Sequence, residues 1–221
     1  MIGLVGPADS VALAVDVAGA AGLADRVVAR PYDRVEDAVG LARELDAVCQ
    51  TILFTGRVPY AFARAAGGFG AGLRYVPHSG ADLYRLLVQL LRARAGVLPR
   101  ISLDTIDPAV VAEAYADLGL EPPEHVLPLE VDGDPDRLRS LEEIVAFHRA
   151  LAAAGATDVA VTCVGAVDAA LRAAGHTVWR IGHSRSVLRD ALRQADLAAR
   201  LALTERTQPA AIVVRAAAPA A

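Results

Sequence analysis

The sequence predicts an α/β protein of two lobes with mostly parallel sheets and a central cleft. Three observations carry that expectation. Short apolar runs alternate with amphipathic helical patterns along the chain, as in βαβ units. The apolar runs are nearly continuous, and 54% of the 221 residues are hydrophobic, mostly Ala, Val and Leu. That usage suits strands covered on both faces by helices. The pattern then pauses at the Gly- and Pro-containing stretch Arg94 to Arg100, "RAGVLPR", and starts again. Two wraps follow, residues 1–97 and 98–221, each near the common size of a small domain. The final helix and strand of the second are placed to pack back on the first.

The elements follow in order. "MIGLVG" reads as a buried strand, and a helix over 9–21 takes Asp9 or Ser10 as its cap. "RVVARPY" is the second strand, with a helix over 34–47. "QTILFTG" is the third, followed by a helix over 58–66. "GLRYVPHSG" is the fourth, followed by a helix over 81–95. In the second half "PRISLDTID" is a strand turning at Asp107-Pro108 into a helix over 109–118. "EHVLPLEV" is the next strand and "DGDPDR" a turn cluster. A helix over 138–154, the strand "DVAVTCVG", a helix over 166–174, the strand "HTVWRIGHS" and a long helix over 186–203 complete the wrap. "PAAIVVRA" reads as a last strand. The halves share organisation but no sequence period, so they are not a repeat.

Composition excludes several functions. All 22 basic residues are arginine. No lysine is present for a Schiff base or a phosphate-binding loop. The net charge of -4 and the scattered arginines argue against a nucleic-acid surface in this segment. No apolar run reaches the length of a membrane span, and "MIGLVGPADS" lacks the basic flank of a signal peptide, so the expected location is cytoplasmic. Two cysteines, Cys49 and Cys163, are too few for a disulfide framework or a zinc site. No cofactor and no metal are expected. His78 and His183 both face the predicted cleft, but no third ligand stands at helical or turn spacing.

A ligand of a parallel sheet sits beyond the carboxyl ends of the strands. The strand-to-helix turns there are rich in hydroxyls and glycines. They supply Ser10, Thr55, Gly56, His78, Ser79, Cys163, Gly165, Ser184, Arg185 and Ser186 as candidate ligand contacts. Helix starts attract anions, glycine lets the backbone come close, and an arginine offers a fork for a carboxylate. The turn "GHSRS" before the last helix combines all of these. Helix capping alone accounts equally well for Ser184 and Ser186. Tyr32 and Tyr60 stand where an aromatic ring could cover a ligand, or simply pack.

The segments "DVAVTCVG", "VDAALRAAG", "HTVWRIGHS" and "SRSVLRDALRQADLAA" together resemble the end of the N-terminal sensor domain of propionate-catabolism activators. Ser184, Ser186, Val187, Ala191, Leu192 and Ala195 fall into that family's frame there. "DAVGLARELDAVCQTILFTGRVPYAFARA" and "VPHSGADLYRLLVQL" resemble its earlier segments. The resemblance implies two Rossmann-like lobes like those of a periplasmic binding protein, but cytoplasmic, sensing a small molecule for a transcriptional regulator. The implied partners are a small-molecule effector and an attached effector domain or a second copy of the chain, with no membrane. Two departures stand out. Neither a helix-turn-helix nor an ATPase segment lies within the 221 residues. The family's glycine pair after the third strand is replaced by Thr55-Gly56-Arg57-Val58-Pro59-Tyr60.

The leading alternative is an isomerase of the aspartate/glutamate racemase type, also two-lobed, with Cys163 as one of two opposed thiols. Cys49 is its only possible partner, at the far end of its strand. A hydrolase built from Ser184, His183 and Asp104 lacks the nucleophile-elbow motif. His148 reads as a surface or packing residue, and Glu142 and Glu143 as a solvated helix face. His125 and His176 open strands.

Overall fold

The computed structural model describes residues 1–131 and 134–207. The first sheet holds β1 (Ile2–Pro7), β2 (Val27–Tyr32), β3 (Thr51–Phe54) and β4 (Gly72–Tyr75), in the order β2-β1-β3-β4 with every pair parallel. Helices α1 (Ala8–Ala20), α2 (Ala38–Asp46) and α3 (Arg57–Ala66) make the crossovers. Ile2 and Leu4 pack with α1, whereas Val5, Ile52 and Phe54 pack with α2 and α3. Both faces are therefore covered, which is why the central strands read as unbroken apolar runs.

The chain continues into α4 (Gly80–Ala93) and then a second parallel sheet. This holds β5 (Ile101–Asp104), β6 (His125–Leu127), β9 (Val159–Thr162) and β10 (Val178–Arg180), in the order β10-β9-β5-β6. Helix α5 (Pro108–Asp117) joins β5 to β6. A hairpin of β7 (Glu130–Val131) and β8 (Asp134–Leu138) leads into α6 (Leu141–Ala153). Helix α7 (Gly165–Ala173) joins β9 to β10, and α8 (Arg185–Thr207) follows. The architecture is the predicted one: α/β, with two parallel four-stranded sheets.

The two lobes exchange helices. Leu83, Leu86, Leu87 and Leu90 form the inward stripe of α4, at the spacing of one helix face. They pack against Ile101 and Leu103 of β5 and Val159 and Val161 of β9, in the second lobe. Leu188, Ala191, Leu192 and Ala195 of α8 pack in return against Ile2, Leu4, Leu53 and α1, in the first. The chain thus passes between lobes at two places, residues 76–79 and 181–184. The packing divides the chain there, and not at the 97/98 boundary suggested by the link Arg94 to Arg100.

Several local expectations need correction. The first-turn residues Asp9 and Ser10 are not caps, because α1 starts one residue earlier with Pro7 at the N-cap position. Pro7, with φ -58° and ψ 149°, leads into the helix with no side-chain cap hydrogen bond. "EHVLPLEV" is two strands, not one. Pro128 cannot donate to a ladder, so β6 stops before it and β7 turns into the hairpin. Most of the expected turn cluster "DGDPDR" is strand β8, paired antiparallel with β7. The expected strand "PAAIVVRA" lies outside the described residues.

Candidate functional site

In each sheet the strand order reverses once, and the loops on either side of that switch open a crevice at the carboxyl ends. In the first sheet the switch lies between β1 and β3, whose following turns carry Ser10, Thr55 and Gly56. In the second it lies between β5 and β9, whose following turns carry Thr105, Cys163 and Gly165. The two crevices face each other. One cavity of about 280 Å³ is lined from both lobes, by Ser10, Thr55, Gly56, His78, Cys163 and Arg180 among others. A second, of about 440 Å³, shares Ser10, Thr55, Gly56, Cys163 and Arg180 and extends past Tyr32, Arg57 and Gly165. Together they are one inter-lobe cleft of a size suited to a small metabolite.

Thr55 is buried, and its Oγ1 has no hydrogen-bond partner among the described residues. It rests on Gly6, where an added Cβ would lie 1.9 Å from that oxygen. Only glycine lets the two strand ends approach this closely. On the opposite wall the Cys163 Sγ lies 2.6 Å from Thr105 Oγ1, which donates to Asp104 Oδ1 at 2.7 Å. Thr105 has φ +56°. A β-branched residue in that region is strained, and here the Asp104 bond holds it. Among the arginines that line the cleft, Arg180, at the end of β10, lines both cavities. It crosses to the first lobe, where Nη1 donates to Asp9 Oδ2 at 2.6 Å. Its guanidinium carbon lies 3.7 Å from where a Cβ on Gly165 would stand, over the first residue of α7. An arginine and a helix N-terminus therefore reinforce each other at one spot. A second ion pair, Arg57 with Glu130, ties α3 to the hairpin.

The predicted contacts divide into two sets. Ser10, Thr55, Gly56, His78, Cys163 and Gly165 line the cleft. Ser79, Ser184, Arg185 and Ser186 line neither of its two cavities. Ser79 stands at the N-cap of α4, its N–H donating to Asp82 Oδ2 at 3.1 Å. Ser184 precedes α8, with its Oγ 3.1 Å from Ser186 Oγ and 3.4 Å from the Val187 nitrogen. Arg185 turns outward to Asp16 at 2.6 Å. Tyr32 lines the larger cavity and burial pushes its phenol well up, whereas Tyr60 packs on Phe54 and Tyr75. The sequence places Asp9 on a turn at the cleft but not among the contacts, and it does not single out Arg180, which shares a segment with "GHSRS". Arg180 ends a strand, where a residue's facing is not set by the turn that follows.

His148 is not a surface residue. It is 1% exposed, with Nε2 at 2.7 Å from Asp104 Oδ2 and Nδ1 at 2.7 Å from Ser102 Oγ. This Ser–His–Asp chain lies in the core, and Ser102 is 0% exposed within β5, so no substrate reaches it. Hydrolysis by Ser184, His183 and Asp104 fails because Asp104 serves His148 instead.

The geometry also weighs on the paired-thiol alternative. Cys49 is buried against α2 before β3 begins, at the amino end of the first sheet, whereas Cys163 follows β9 at the carboxyl end of the second. Burial, aided by the Asp104 charge, pushes the Cys163 thiol up to about 12. A thiol with that value stays protonated at neutral pH and is a poor nucleophile. Iodoacetamide at pH 8 is expected to label Cys163 at least ~100-fold more slowly than glutathione. Labelling at the glutathione rate, read by mass spectrometry, would show a reactive thiolate and restore the enzyme reading.

No protein-family model matches the sequence, and no curated protein sequence matches it significantly. Solved structures do match. An NtrC family transcriptional regulator from Clostridium acetobutylicum superposes with a TM-score of 0.63 at 16% identity, over 90% of this chain and 96% of that one. Transcription regulator CcpA of Lactococcus lactis matches at TM-score 0.43 and 14% identity, over 97% and 95% of the two chains. An aspartate racemase homologue from Pyrococcus horikoshii matches at TM-score 0.34 and 12% identity, over 88% and 98%. The first shares the two-lobed α/β fold over nearly its whole length. At the level of fold this agrees with the resemblance read from the sequence. Among the described residues no helix is long and apolar enough to cross a membrane.

Proposed function

We propose that the chain is a small-molecule sensing domain of a cytoplasmic transcriptional regulator, and that its ligand is a small carboxylate held between the lobes. The carrying observation is the Arg180–Asp9 pair across the cleft. Asp9 occupies the guanidinium fork as a ligand carboxylate would, and both groups line the cavity. Thr55, Ser10, Gly56 and Gly165 offer hydroxyls and open backbone around it. A ligand that bridges the lobes stabilises the closed arrangement, and closure is the signal passed to the regulator. The unpaired cysteines suit a reducing compartment.

The test is a thermal-shift screen of small mono- and dicarboxylates at fixed ionic strength, followed by calorimetry on the hits. At least one is expected to bind. Arg180→Gln should weaken it ~30-fold or more, as loss of a charge-assisted bidentate contact does. Asp9→Asn, which removes the internal competitor, should tighten it. No carboxylate binding, or unchanged affinity in Arg180→Gln, would sink the reading.

A further inference from the structure

The second set of polar residues lies where the chain passes between lobes. His78 belongs to one crossover, His183 to the other, and Asp82 to the first turn of α4. Asp82 is fully buried, and the His183 and His78 side chains are 5% and 12% exposed. Asp82 Oδ1 accepts from the Ser184 N–H and Oδ2 from the Ser79 N–H, so the carboxylate is fixed in place. Oδ2 also lies 3.3 Å from His78 Nδ1 and 3.5 Å from His183 Nδ1.

The His183 ring is oriented by its other nitrogen. Nε2 sits 2.8 Å from the Thr55 carbonyl oxygen and must donate to it. In the neutral ring this leaves Nδ1 as a lone pair, buried and without a hydrogen-bond partner among the described residues, facing the carboxylate. A cation relieves two acceptors that face each other in this way. A ring nitrogen anchored on a backbone carbonyl is also how histidines that bind metal are held. The spacing fits as well. Ligand atoms about 2.0–2.1 Å from one tetrahedral ion stand about 3.3–3.4 Å apart, close to the 3.3 Å and 3.5 Å from Asp82 Oδ2 to the two ring nitrogens. The two rings stack, with centroids 4.2 Å apart and planes at 22°, so they must tilt apart to aim both lone pairs at one ion. His78 and His183 also line the smaller cavity, so a fourth coordination position opens on the cleft. Arg85 lines that cavity too, but its guanidinium is turned onto the Gly182 carbonyl.

We infer that His78, Asp82 and His183 form a binding site for a divalent cation of the zinc class, which ties the two crossovers together. Two imidazoles and one carboxylate favour zinc, cobalt or iron(II) over magnesium or calcium, which take oxygen ligands. Asp82 supplies the third ligand, contrary to the expectation from the sequence. It stands four residues after His78, where it reads as an ordinary residue of the first helical turn.

The experiment uses the whole chain, stripped with a chelator and desalted, and titrated with zinc by calorimetry and with cobalt by visible spectroscopy. One ion per chain is expected, with a rise in Tm. The cobalt form should show tetrahedral visible bands and no thiolate charge-transfer band, which sets the site apart from Cys163. His78→Gln leaves the Asp82 bonds to the two crossovers intact and should weaken zinc at least ~10-fold. His183→Gln should do the same, and Cys163→Ser should change nothing. Failure to bind zinc would show that a proton alone bridges the cluster and would overturn the assignment. So would zinc binding by His78→Gln and His183→Gln as tight as by the unsubstituted chain.

Discussion

Asp104→Ala is expected to cost about 3–5 kcal/mol of folding stability, the range seen when one partner of a buried polar network is removed. In a chain of this size that is roughly a 10 °C fall in Tm. The carboxylate is 0% exposed and joins two parts of the second lobe. One oxygen meets His148 on α6, and the other meets Thr105 at the cleft wall. Alanine would leave His148 Nε2 and Thr105 Oγ1 buried without their acceptor. It would also free Thr105 from the bond that holds its left-handed backbone. Ser102→Ala removes only the outer end of the chain of bonds, so about 1 kcal/mol is expected there. Urea unfolding monitored by circular dichroism checks both. A loss under 1 kcal/mol for Asp104→Ala would mean that solvent reaches the network, and the account of the second lobe's core would need replacing.

Much of this was legible in the chain because burial on both faces writes itself as continuous apolar runs. The runs "MIGLVG", "QTILFTG" and "DVAVTCVG" announce β1, β3 and β9, the central strands whose ends define the cleft. Ser10, Thr55, Gly56, Cys163 and Gly165 follow from these, because a strand's carboxyl end fixes the position of its turn. What stayed hidden depends on pairing across distance. Nothing local couples His148 to Ser102 and Asp104, more than forty residues away. A histidine on the inner face of an amphipathic helix looks like one on its edge. Asp82 likewise reads as a first-turn acid until both crossovers close around it. Ser184, Arg185 and Ser186 carried the expected residue types for anion binding. Their side chains spend that chemistry on the start of α8 and on Asp16.

The chain cut between residues 97 and 98 is expected to give two pieces that do not fold alone but assemble when mixed. The leucine stripes explain why. The sequence shows that α4 and α8 are amphipathic, but a stripe does not say which sheet it will cover. In the structure Leu83, Leu86, Leu87 and Leu90 cover the second sheet, so fragment 1–97 would carry them bare. The same fragment would lack Leu188, Ala191, Leu192 and Ala195, which cover β1, β3 and α1. Four leucines at about 1.5–3 kcal/mol each amount to roughly 6–12 kcal/mol. That is as large as the whole stability of a typical domain. Each fragment alone should therefore show no cooperative thermal transition. The mixture should form a 1:1 complex with the near-ultraviolet circular dichroism of the intact chain. Cooperative unfolding of isolated 1–97 would mean that the lobes follow strict sequence order and that the helix exchange contributes little. The exchange also bears on the proposed sensing, because a lobe that owns a helix of its neighbour would move by bending at residues 76–79 and 181–184. Closure over a ligand and binding of an ion by His78, Asp82 and His183 would then act on the same two strands of chain.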